Sequence, residues 1–117
     1  MGQVTIREQV KEVLGVINTR FKELDAGECA EFAQKLAALL PIVLENEAEA
    51  EGTCNMYMSA LMEGDDKMTA AKARIKMQAT EEWLEWKKIV ALRKGMEETI
   101  KTLKKNVEAK TYEYQTS

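Results

Sequence analysis

"EEWLEWKKIVALRKGMEETIKTLKK", residues 81 to 105, decides how this chain folds. Ile89, Met96 and Leu103 recur every seven residues, and Trp86, Ile100 and Val107 form a second row on the same repeat. Apolar residues repeated by sevens keep one face of an α-helix turned toward a neighbour, so the stretch predicts a helical seam. Upstream, Met68 and Ile75 extend the first row and Ala79 the second; Glu82 interrupts the first and Arg93 the second. Only Gly95 weakens the run, which predicts one helix from Lys67 to about Lys110, a rod of roughly 66 Å at 1.5 Å per residue.

Working outward, "EGDD", Glu63 to Asp66, reads as a tight turn. Gly64 suits the left-handed position after a helix, and Asp65 or Asp66 suits the cap of the next. The stretch Ile42 to Glu63 before it is helical in pattern. Pro41 lacks an amide donor and disfavours helical geometry at Leu40, so a break or sharp kink is expected there. "TIRE" from Thr5 and "DAGE" from Asp25 have the spacing of capping boxes, in which a side-chain oxygen and a glutamate three residues later satisfy each other's free amides. Ile6, Val10, Val13, Leu14, Ile17, Phe21 and Leu24 line one face of a first helix; Cys29, Phe32, Ala33, Leu36, Leu39 and Leu40 line one face of a second. The expected fold is all-α, an antiparallel helical hairpin or bundle with a long C-terminal coiled-coil-like helix. One domain over residues 1–117 is expected, with helices near 6–24, 26–40, 42–63 and 67–110.

Composition agrees. With 117 residues, 45% hydrophobic and 32% charged, one proline and six glycines, the chain has the makings of one helical domain. Histidine is absent and Cys29 and Cys54 have no CxxC spacing, which argues against a zinc site or disulfide framework and for buried thiols in a reducing compartment. No apolar run reaches the roughly 18 residues of a membrane span, and the N-terminus lacks a signal pattern. Gly2 invites a lipidation reading, but Ile6 stands where that motif needs Ser or Thr. The expected location is cytoplasmic. Residues 1–63 carry five basic and eleven acidic side chains, a net −6, and residues 64–117 carry twelve and nine, a net +3. That polarity suits antiparallel self-association or an anionic partner of the second half.

Three sets of residues carry possible chemistry. Trp83 and Trp86 stand three apart and serve first as core anchors; in a cleft between subunits they could stack a base while Arg93 and Lys94 hold phosphates. Arg93 otherwise needs a carboxylate such as Glu82. Lys87, Lys94 and Lys101 make a ridge by sevens, joined by Lys88, Lys104 and Lys105, that would suit a nucleic-acid backbone, although Glu85, Glu97, Glu98 and Glu108 are interleaved. Glu45, Glu47, Glu49 and Glu51 suggest a metal cluster, but they alternate between opposite helix faces and read better as a solvated acidic surface. No metal and no cofactor is expected.

Glu81, Glu82 and Glu85 spell E-E-x-x-E, which resembles the magnesium-binding element of all-α nucleoside triphosphate pyrophosphatases. The E-x-x-D element that completes that family's site is missing, since Ile100 and Lys101 follow Glu97 and Glu98 at the required spacing. "WKKIVALRKGMEETIKTLKK", Trp86 to Lys105, resembles the C-terminal helix of small α-helical proteins encoded by bacteriophages. The resemblance implies a protein that acts by binding. The expectation is therefore a non-enzymatic oligomeric binding protein that blocks a host protein or sequesters a small anionic ligand such as a nucleotide signal. A nucleic-acid accessory role stands second and metal-dependent nucleotide hydrolysis third. The homo-oligomer is expected to pair through Met96, Ile100, Leu103 and Val107, because one hairpin arm and the first helix cannot cover a rod of that length.

Overall fold

The computed structural model describes residues 5–116, with side chains as far as Tyr112; Gly2 lies outside the described residues. The fold is all-α. It comprises α1 (Ile6–Arg20), α2 (Ala26–Gly64), α3 (Ala70–Met77) and α4 (Glu81–Thr116), with a 3-10 turn at Phe21–Glu23.

Both capping boxes form. The Thr5 hydroxyl accepts from the Glu8 amide at 3.1 Å and the Glu8 carboxylate accepts from the Thr5 amide at 3.3 Å. At α2 the Asp25 carboxylate accepts from the Glu28 amide at 2.7 Å, and Glu28 returns the bond to the Asp25 amide at 3.3 Å. Losing such a cap typically costs about 1 kcal/mol, so Asp25→Ala should lower stability by about that amount in urea unfolding. A change below about 0.3 kcal/mol would mean that the cap contributes nothing.

The helix bounds differ from the sequence expectation in small ways, with α1 ending at Arg20 instead of Leu24, α3 starting at Ala70 instead of Lys67 and α4 reaching Thr116 instead of Lys110, and in two large ones. Pro41 lies inside α2, which runs unbroken to Gly64 instead of ending near Leu40. Leu36 and Val43, seven residues apart on either side of it, are fully buried, and their burial holds the backbone helical through the proline. The long helix expected from Lys67 to Lys110 is instead α3 and α4, with a joint at Gln78–Thr80. Thr80 explains the joint: its hydroxyl donates to the Met77 carbonyl at 2.6 Å and accepts from the Trp83 amide at 3.2 Å. One side chain thus serves the end of one helix and the start of the next. The turn before α3 falls where "EGDD" put it, but without left-handed geometry, since no described glycine has positive φ. Asp65 builds it by accepting from the Lys67 amide at 2.9 Å, and Thr69 caps α3 by accepting from the Lys72 amide at 3.2 Å.

The described residues fall into two compact units. The first contains α1, α2 as far as Val43 and α4 from Leu92. Here Asp25 and Gly27 lie beside Lys110 and Thr111, while Ala30 to Ala37 lie beside Lys104 to Glu108, so α2 runs antiparallel to α4. Ile17 and Phe21 lie beside Glu98 to Thr102, and the Lys110 ammonium donates to the Leu24 carbonyl, so α1 runs with α4. Val10, Ile17, Leu24, Cys29, Leu36, Met96, Ile100 and Leu103 fill the middle.

The second unit, Leu44 to Ala91, holds the end of α2, α3 and the start of α4. Its buried side chains are Cys54, Ala73, Met77 and Ile89. The seam is therefore kept from Ile89 downstream and lost upstream, where Ile75 is 69% exposed.

Candidate functional site

In the second unit Trp83 and Trp86 are both half-buried on the first turns of α4. The Lys87 ammonium lies 4.5 Å from the centroid of the Trp86 ring and 5.6 Å from that of Trp83. An ammonium over an indole face is attracted by the ring quadrupole, so the two tryptophans and the lysine form one cluster. The spacing contained the signal: Lys87 stands four residues after Trp83, one turn along the same face. Cys54 of α2 is fully buried in this unit. Burial pushes its thiol pKa up, the Glu82 carboxylate adds to that rise, and Lys87 opposes it.

A thiol that resists ionisation when folded keeps its proton where the unfolded chain has lost it, so folding stability falls as pH rises above the ordinary thiol value of 9.0. Cys54→Ala should flatten that alkaline loss in unfolding measured between about pH 8 and 10.5. An identical slope in the variant would remove Cys54 as its source.

The other expected ligand-binding residues, Arg93 and Lys94, belong to the first unit. Arg93 pairs with Glu97, one turn along α4, at 3.3 Å, and Lys94 is exposed. The expected interface needs correction. Met96 and Leu103 have no exposed surface and Ile100 is 8% exposed, so these three are already covered within one chain. The reason is that α1 and α2 together supply the neighbours that a second copy was expected to bring. Val107 is half-buried and lines an open groove of about 450 Å³ with Ala30, Ala33, Ala37, Lys104 and Glu108.

The basic ridge is partly engaged. Lys87 turns onto the indoles and Lys101 lies 4.0 Å from the Glu98 carboxylate. Among the described residues no group of three or more cysteine, aspartate or glutamate side chains is arranged to hold a metal ion, so Glu81, Glu82 and Glu85 do not converge, nor do the four glutamates of α2. No described helix is long and apolar enough to cross a membrane.

The sequence reading missed the apolar exterior of the second unit. Met56 is 74% exposed, Ile75 69% and Leu84 50%, with Met62, Leu44 and Tyr57 near 40%. Periodicity could have found Leu84, which lies about 140° from Ile89 around α4 when each residue turns 100°. No protein-family model matches the chain, and neither a curated protein nor a solved structure is significantly similar to it.

Proposed function

We propose that this chain works by binding, through protein–protein contact made by its second unit. One observation carries the reading. That unit spans Leu44 to Ala91, buries two large aliphatic side chains, Met77 and Ile89, and leaves six large apolar ones at least 39% exposed. A unit of that size has little core to stabilise it alone, and six large apolar side chains left exposed on it suit contact with another protein. Methionine adds adaptability, since its unbranched, polarizable side chain repacks against different partners. Blocking of a target protein and self-association both fall within the reading, and neither needs turnover.

A second reading has its own support. The Lys87 ammonium beside two indoles offers a cation and flat apolar surfaces together, which would suit a small planar anion such as a nucleotide. In the free chain, however, the ammonium lies over the rings that a base would stack on, and binding would have to displace it.

The test is photo-crosslinking in cells that naturally make the chain, with a benzoylphenylalanine at position 56 or, as a control, at Lys22 on the exposed side of the first unit. Discrete protein adducts at position 56 and none at 22 are expected. Equal, diffuse labelling at both positions would overturn the reading.

A further inference from the structure

We infer that the outward face of α2 in the second unit is a docking surface for α3 of a second copy of this chain. The inference rests on the protein-contact reading above and names the partner.

Both halves of the contact are in the sequence and exposed in the structure. From Leu44 to Gly64, α2 carries five glutamates and no basic residue. At 100° per residue, Glu45, Glu49, Met56 and Glu63 fall within about 40° of one another, forming one ridge along the helix. Leu44, Glu51 and Met62 form a second ridge about 120° away. Between the ridges lie Ala48, Gly52, Asn55 and Ser59, whose short side chains leave a trough. A Cβ added at Gly52 would meet nothing within 4 Å, so the floor of that trough is open. Every ridge residue is exposed, Met56 most of all at 74%.

The segment that fits it is α3. Residues 67–78, "KMTAAKARIKMQ", carry four basic side chains and no acidic one. Ala73 and Met77 turn inward, and Ile75, 69% exposed, points to the other side. Arg74 flanks Ile75 on one edge, with Lys72 and Lys76 on the other. This is a short amphipathic helix with its apolar residue outward between cations, the complement of a trough edged by carboxylates. Among the described residues none of Glu45, Glu49, Glu51, Glu63, Lys67, Lys72, Arg74 and Lys76 takes part in an ion pair within the chain. Both charge sets are thus available to another molecule. Each copy carries one donor helix and one acceptor face, so the exchange can be reciprocal and closed, the usual form of a homodimer.

The test is charge exchange read by sedimentation velocity. One variant carries Glu45→Lys, Glu49→Lys and Glu51→Lys; the other carries Lys72→Glu, Arg74→Glu and Lys76→Glu. All six positions are exposed, so both variants should keep the wild-type circular dichroism. The wild type should form dimers at low salt that weaken at least about tenfold as salt rises from 50 to 500 mM, because exposed ion pairs are screened. Each variant alone should be monomeric, since acceptor and donor then carry like charge. Their mixture should recover the dimer. A wild type that stays monomeric at hundreds of micromolar would overturn the inference, as would single variants that dimerise normally or a mixture that stays apart. The two readings fail separately: a monomeric wild type whose position 56 still crosslinks to a different protein in cells leaves the protein-contact function standing and removes only the second copy as partner.

Discussion

Leu103→Asp is expected to unfold the first unit, whatever the state of assembly. Leu103 has no exposed surface and sits with Met96, Ile100, Leu36 and Ile17 in the middle of three helices. Removing a buried leucine side chain typically costs 2–5 kcal/mol, and a carboxylate placed there without a partner adds several more, about the whole stability of a small domain. Leu103→Ala is the graded arm, expected to lose about 3 kcal/mol in urea unfolding while keeping the helical fold. Were Leu103 an interface residue instead, the aspartate variant would remain a folded monomer with wild-type helix content. Circular dichroism and sedimentation on the same sample separate the two outcomes.

Pro41→Ala is expected to stabilise the chain by about 2 kcal/mol. A proline in a helix interior loses one amide hydrogen bond and crowds the carbonyl four residues earlier, a cost of about 3 kcal/mol, of which proline's smaller unfolded-state entropy returns about 1 kcal/mol. Pro41 is exposed and lies within α2, so the alanine should fit without repacking. The urea midpoint should rise with an unchanged slope. A lower midpoint would mean that the proline holds a bend on which the buried Leu36 and Val43 depend.

These two positions also mark where the sequence was legible. The helix starts at Thr5 and Asp25 could be read because a cap is a local event: the hydroxyl or carboxylate and its glutamate lie within three residues of each other. The seam from Ile89 to Leu103 could be read as buried for the same reason, since its period is carried by one helix. What covers it could not, because covering is a long-range matter; α1 and α2 take the place given to a second copy. Pro41 misled because its local penalty is real but is outweighed by burial on either side. Thr80 was overlooked because the heptad pattern runs through it, although a threonine followed by two glutamates is a fair helix-start signal. At the candidate site, the aromatic pair was visible, but its cation was sought a heptad away at Arg93 and Lys94, when Lys87 was one turn from Trp83. The outward apolar face was the least legible feature, since a methionine in a helix looks the same in sequence whether it faces a core or water.

Methionine oxidation footprinting tests the central claim most directly, that the apolar exterior of the second unit is covered by protein when the chain works. Peroxide oxidation of each methionine is followed by mass spectrometry in dilute purified chain and inside cells that make it. Met56 and Met62, exposed in the structure, should oxidise quickly in the dilute chain and several-fold more slowly in cells, while Met96, with no exposed surface, stays slow in both. If Met56 and Met62 oxidise in cells as fast as in the dilute chain, relative to a free methionine peptide in each setting, nothing covers that face and the account is contradicted.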